Sequence, residues 1–382
     1  MTRLLLCTGA CFLSLGLLIP VIPRYITGPL DQGPALVGGC LAMTSVFALI
    51  ARPVAGRLAD RRGRRATACA GALLLAVTSL AVLLADSLPL FLTCRAVAGI
   101  GEALTYVGLA AAASDHDRRE AAINHFTVAV NAGLLAGPPL AEAVRSAVDL
   151  RAVWALSGAA AVAAFAACLF LTGPAGGEPS RTRRSGPLIH RAGLIPGLAY
   201  WASVWGYTAF SAFLPLHVTA LGGDASGGHF LLYGCVLLTV RLGGQRLLTR
   251  VAPRATAAAA LMLTATGLAM LAVWPSVTGA LLAAAVLGVG QALGLPAFLT
   301  MAVTGLPAEQ RGSALATTTA FFDIGFLTAA LALGAVVQSL GLTYGFATAA
   351  AVAALAPLLF LPLHRKPDQT SPHGGVHDHS RR

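Results

Sequence analysis

The chain has 382 residues, 57% of them hydrophobic and only 11% charged, with a net charge of +11. Soluble domains carry roughly 25% charged residues, so this composition excludes a mainly water-facing surface, and most of the exterior is expected to face lipid. The positive charge does not point to nucleic acid, because the basic residues fall in short gaps between long apolar runs, as membrane topology requires.

A membrane-spanning helix needs about 20 apolar residues. Twelve segments meet that need: 4–23, 35–56, 66–85, 88–112, 122–146, 151–172, 193–219, 227–247, 255–274, 276–301, 312–338 and 342–363. The first follows Met1-Thr2-Arg3 and resembles a signal peptide, but it is long enough to span and no small-x-small site follows, so it reads as a retained helix. The gap after the second segment holds Arg57, Arg61, Arg62, Arg64 and Arg65, and the even gaps are basic throughout. The odd gaps hold only Arg24, Arg145 and Arg151. The positive-inside rule then places the even gaps and both termini in the cytoplasm. Residues 173–192, rich in Gly, Pro, Ser and Arg, read as a cytoplasmic linker between a bundle at 1–172 and a second at 193–364. Residues 365–382 read as a disordered tail, whose His373, His377 and His379 are taken as a solvated end rather than a metal site. The seven cysteines lie in or beside apolar segments without CxxC spacing and read as small buried hydrophobes. No metal, cofactor or nucleic-acid partner is expected.

An internal repeat sets the architecture. At a shift of 189 residues Arg52, Arg57, Arg61 and Arg65 fall on Arg241, Arg246, Arg250 and Arg254, and AVAGIGEAL from Ala96 falls on AVLGVGQAL from Ala285. Glu102 thereby meets Gln291, and Arg95 meets Ala284. With three more residues of offset, Asn131 meets Asp323 and Gly133 meets Gly325. A same-direction repeat of six helices places the pseudo-axis along the membrane normal, the arrangement of proteins that rock two halves about a central site.

Among the ionised side chains inside apolar segments, three stand out. Arg95 and Glu102 are seven residues apart, hence on one helix face and about 10.5 Å apart along the axis. Asp323 lies well inside the eleventh segment. A charge at mid-membrane costs roughly 2.5–3.5 kcal/mol on insertion scales, so these residues should face a wet cavity or a partner. They are candidates for proton coupling and translocation; structural ion pairs or hydrogen-bonded acids are the competing reading. Asn131, Tyr200, Trp205, Tyr207 and Gln291 are candidate cavity residues, with an interfacial aromatic belt as the alternative for the aromatic ones. Gly288, Gly290, Gly294 and Pro296 are expected to bend the tenth segment toward the centre.

The loop Gly56-Arg-Leu-Ala-Asp60-Arg61-Arg-Gly63-Arg-Arg65 resembles the loop 2–3 signature of the major facilitator superfamily, with Arg65 where that signature has lysine. The resemblance implies an all-helical membrane fold of twelve helices in two pseudo-symmetric bundles. It also implies a cytoplasmic latch built on Gly56, Asp60, Arg61, Gly63 and Arg65, for which Asp115 and Asp117 are candidate partners of Arg61. RAVAGIGEAL from Arg95 resembles the helix 4 signature of proton-driven members, and Gly133, Gly137 and Pro138 resemble the Gly-x3-Gly-Pro signature of the family's drug and metabolite antiporters. The implied function is secondary active, proton-coupled export of a small molecule at the cell (inner) membrane by a chain acting as a monomer. Its partners would be substrate, protons and lipid. Uptake by symport or uniport is the alternative. No nucleophile elbow or phosphate loop argues for an enzyme.

Overall fold

The computed structural model describes residues 1–84, 87–115, 119–171, 190–223, 226–243 and 251–360. Most of the 173–192 linker, the 365–382 tail with its histidines, and Asp117, Arg118, Arg246, Thr249 and Arg250 lie outside the described residues.

The described chain is helical, without a strand among the described residues. We number its α-helices α1 (Thr2–Leu18), α2 (Val21–Thr27), α3 (Pro34–Arg61), α4 (Arg64–Ala81), α5 (Leu88–Ser114), α6 (Arg119–Ala147), α7 (Leu150–Leu169), α8 (Leu194–Ala220), α9 (Gly227–Gly243), α10 (Pro253–Val273), α11 (Val277–Val303), α12 (Ala308–Leu340) and α13 (Leu342–Leu355). The first apolar segment is thus two helices. Pro20 cannot donate to the ladder and its ring crowds the carbonyl four residues back, so α1 ends just before it and the chain restarts as α2.

Helix starts follow local chemistry. Asp149 accepts from the Ala152 amide at 2.7 Å and Ser276 from the Gly279 amide at 2.9 Å, satisfying donors that an N-terminus leaves open. Pro34 and Pro253 stand in the first turns of α3 and α10, where no amide hydrogen is needed. Gly63, at φ 93°, makes the tight turn between α3 and α4 that an L side chain would strain.

Nine helices among the described residues are long and apolar enough to cross a membrane, with α1 and α2 counted together. The other three apolar segments fall short for identifiable reasons. α9 is short, and α6 and α8 carry Asn, His, Pro, Trp or Tyr in place of aliphatic residues. Large aliphatic side chains stand on the exterior, Ile50, Val77 and Leu331 among them, each more than half exposed. Such a surface suits lipid and not water. The cysteines are all free; Cys235 is exposed and Cys69 only partly covered, so burial does not account for those two.

Packing among the helices depends on small residues that bring backbones together. α1 meets α6 where a Cβ on Gly133 would stand 2.6 Å from the Leu13 nitrogen and 2.8 Å from the Gly9 oxygen; Gly137 lies equally hard against Gly16 and Leu17. Gly99 of α5 lies on the Thr44 carbonyl of α3, and Gly108 of α5 on Ala68 of α4. α6 continues unbroken through Pro138 and Pro139. In α11, Gly288 admits α9 at Tyr233 and Gly290 admits α10 at Thr264. These glycines serve close approach, and α11 also runs continuously through Pro296, so the bend expected of this group is not needed to explain it. Three pairs, α3 with α12, α6 with α9 and α2 with α8, carry most of the helix contacts between residues 1–171 and 190–360 among the described residues.

Because the Gly133 site is walled by backbone, Gly133→Ala is expected to destabilise by about 1–3 kcal/mol, the usual cost of overpacking. Gly39→Ala, which meets open space, should leave stability unchanged. Thermal unfolding of the purified protein in detergent checks both.

Candidate functional site

Glu102 and Asp323 gather around a further charged residue within an apolar segment, Arg52 of α3. Its guanidinium grips Asp323 of α12 with two parallel contacts, Nη2 to Oδ1 at 2.8 Å and Nη1 to Oδ2 at 2.7 Å. The same guanidinium lies 5.7 Å from the Tyr106 ring centre, within cation–π range. Glu102 of α5 is half-buried within electrostatic reach of Arg52, Asp323 and Arg95. Arg95 is buried beside Cys40 of α3, and its Nε has no hydrogen-bond partner among the described residues.

The fork-shaped guanidinium matches a carboxylate in two bonds, so position as well as charge is fixed. Arg52 keeps 35% of its side chain exposed and Asp323 13%. The pair therefore borders an accessible space, and its strength falls between the ~1 kcal/mol of exposed pairs and the ~3–5 kcal/mol lost on breaking a buried one. It also joins two helices 271 positions apart in the chain.

A cavity of about 150 Å³ lies between α1, α6, α8, α9, α11 and α12. Asn131, Tyr200, Tyr207 and Gln291 line it, as do Pro138, Tyr233, Arg241 and Phe322. Trp205 does not. Its indole donates to Thr328 Oγ1 at 3.1 Å and its ring packs on Trp201, so it lies behind the wall as part of the α8–α12 contact. Gln291 also has a structural duty: its amide donates to the Ser203 carbonyl at 3.1 Å, fixing α11 to α8.

The basic turn between α3 and α4 differs in detail from the expected latch. Arg64, not Arg61, holds the acids: it donates to Asp60 at 3.0 Å and to Asp115 at 2.9 Å. Arg61 and Arg65 are exposed, and a Cβ on Gly56 would meet open space. The reason is geometric. Arg64 opens α4, one turn beyond Asp60 and beside the end of α5, whereas Arg61 closes α3 on the solvent side.

Sequence reasoning missed Glu142, the most deeply buried acid of the described ion pairs. It pairs with Arg24 of α2, accepts from Arg145 Nε at 3.0 Å and accepts from Ser226 Oγ at 2.8 Å. This joins α2 and α6 to the chain entering α9, at the end of the molecule opposite the basic turns. The Ala35 amide donates to Gln338 there at 3.3 Å, and Gly38 lies on Ala330 and Gly334. The molecule is thus closed at that end. At the end of the basic turns the ion pairs of Arg64 stay within residues 60–115. The signal for Glu142 was available: an acid late in an apolar segment, with Arg24 and Arg145 among the few charges in the odd gaps.

Glu142→Gln leaves Arg24 buried without its counter-charge. A loss of about 3 kcal/mol or more is expected, read as a lowered thermal midpoint. Arg24→Met combined with Glu142→Gln should recover part of it.

A family model described as Major Facilitator Superfamily matches residues 4–282 and 197–377. Relatives include an uncharacterized MFS-type transporter of Salmonella typhimurium, 27% identical over 90% of this chain and 91% of its own length. Another, from Burkholderia mallei, is 27% identical over 97% and 93%. Among solved structures, a nucleoside transporter superposes with a TM-score of 0.79 at 12% identity, over 94% of this chain and 98% of that one. A peptide transporter gives 0.78 at 12%, over 94% and 93%. The human organic anion transporter gives 0.68 at 18%, over 94% and 98%.

Proposed function

This chain belongs to the Major Facilitator Superfamily and is a multi-pass membrane protein with a transporter fold, and from that premise we propose that it is a proton-coupled exporter of a small molecule. The observation that carries the proposal is the Arg52–Asp323 pair, set with Glu102 between the helices that join the two halves.

Twelve helices form two six-helix bundles, 1–172 and 193–364, joined by the 173–192 linker. Both termini and the basic turns are cytoplasmic, and the membrane is the inner cell membrane. The closed end with Glu142 is then the outer one, and the molecule is captured open to the cytoplasm. Access alternates as the bundles rock about the cavity, and one chain suffices.

Coupling follows from electrostatics. With Asp323 ionised, the two-bond pair ties α3 to α12 and resists rocking of the empty carrier. A proton taken up by Asp323, with Glu102 as the adjacent acid, removes the negative charge and frees the two helices. A ligand can shift a conformational equilibrium only by its differential affinity for the two states, and a proton here has such a difference because one state contains the pair. Arg95 lies two turns from Glu102 on the same helix, within its electrostatic reach. Turned the other way, the exposed Asp60 and the open face of Gly56 are free to receive the second bundle in the outward-open state. Export rather than uptake is favoured by the Gly133, Gly137 and Pro138 constellation, which packs α6 on α1 and presents Pro138 to the cavity.

In everted vesicles with an imposed proton gradient, addition of a transported compound is expected to release protons from the lumen. Asp323→Asn and Glu102→Gln are each expected to reduce gradient-driven accumulation at least about ten-fold, the effect of one lost coupling charge worth ~1.4 kcal/mol. If both variants still concentrate substrate, the proton assignment is wrong. Accumulation only in right-side-out vesicles would establish uptake instead.

A further inference from the structure

We infer that the transported molecule carries an anionic group, a carboxylate or phosphonate, which is bound by Arg241 in the aromatic cavity; this rests on the transporter reading and adds its substrate class. Arg241 is the sole charged side chain lining the cavity among the described residues. None of the salt bridges among the described residues involves it, and its buried Nε has no hydrogen-bond partner. Its electrostatic neighbours are the phenols of Tyr233 and Tyr200, which do not neutralise it. An arginine carries five donors in a fixed plane and stays protonated, so leaving it unpaired within a membrane protein is costly.

The internal repeat says what is missing. Arg241 occupies the position in the second half that Arg52 occupies in the first, and Asn131 occupies the position in the first half that Asp323 occupies in the second. Arg52 on α3 is neutralised across the interface by Asp323 on α12. The counterpart interface, α6 against α9, keeps the arginine and has an amide in place of the acid, and both of these residues line the cavity. One of two equivalent ion-pair positions is therefore completed by the protein's own acid. At the other, the protein supplies only the cation, and a ligand supplies the anion. Asn131 can add a donor to the same group.

The remaining walls set the rest of the ligand. Tyr200, Tyr207, Tyr233 and Phe322 offer ring surfaces around a partly open space of about 150 Å³, enough to seat at least one benzene-like ring. The substrate is an organic anion with an apolar or aromatic body.

The test uses the purified full chain in detergent and four probes that differ only in charge: benzoate, phenylphosphonate, benzamide and benzylammonium. Thermal unfolding followed by tryptophan fluorescence should shift upward with the two anions and not with the amide or the amine. Arg241→Gln should weaken the apparent affinity for both anions about ten-fold or more. Asn131→Asp, which retains the arginine and installs the absent acid, should abolish the anion response while raising the midpoint without probe. No shift with either anion, an equal shift with benzylammonium, or an unchanged anion response in either variant overturns the inference. Loss of proton coupling in vesicles with the anion response intact would instead overturn the exporter reading and leave the anion site standing.

Discussion

Two guanidinium–carboxylate bonds between Arg52 and Asp323 connect helices α3 and α12 at mid-length and supply their one ionic link among the described residues. Lipid gives apolar side chains no reason to prefer one another, so helix association in a membrane depends on close backbone contact and on polar groups that must find partners. Both devices occur here within the halves and between them, the packing of Gly38 against Ala330 and Gly334 being a close backbone contact across the interface. Within each set of six segments glycines bring the helices together, as Gly133 and Gly137 do for α6 on α1. Between the sets, ionic and polar links recur: Arg52 with Asp323 at mid-helix, Ser226 with Glu142 at one end, and Gln338 with the Ala35 amide. Interfaces meant to stay formed can be built of interlocking backbone. One that must open and reclose is better built of charge, because a proton or a ligand can then change its strength.

The two interfaces between the halves are related by the internal repeat but not equivalent in charge. α3 and α12 carry the complete pair, whereas α6 and α9 carry Arg241 and Asn131 beside the cavity. A duplicated ancestor that paired an arginine with an acid at both places would have had two locks and no charge to offer a ligand. Loss of one acid leaves a lock on one side and a binding group on the other. The same substitution pattern occurs in the layer above, where Glu102 of α5 matches Gln291 of α11, and Gln291 serves as a hydrogen-bonded strut between α11 and α8. The first half thus holds the acid near Arg52, and the second half holds the neutral copy.

Much of this was legible in the sequence, and the failures have physical causes. Apolar run lengths located the helices because the thickness of a bilayer fixes them. The repeat showed that Arg52 and Arg241, and Asn131 and Asp323, were related pairs. What spacing could not show was that Arg52 closes on Asp323, since a partner 271 residues away is set by tertiary packing. Glu142 escapes because it stands near the end of its apolar segment, and its partners Arg24 and Ser226 are set by tertiary packing. Trp205 was placed in the cavity because aromatic residues of α8 were grouped by type, whereas the helix directs its indole toward Thr328. Arg61 was assigned the acids of the turn by its adjacency to Asp60, although the register of α4 delivers Arg64 to them.

The central claim is that the charge of Asp323 governs whether α3 and α12 stay together. Spin labels at Gln32 and Ser339, both exposed and at the closed end, would report the separation of these helices by electron–electron distance measurement across a pH series. The account predicts a short distance when Asp323 is ionised, a second, longer population that grows as pH falls, and the mixed distribution at every pH in Asp323→Asn. A distance distribution that keeps its full pH response in Asp323→Asn, or that ignores pH in the unmodified chain, would contradict it.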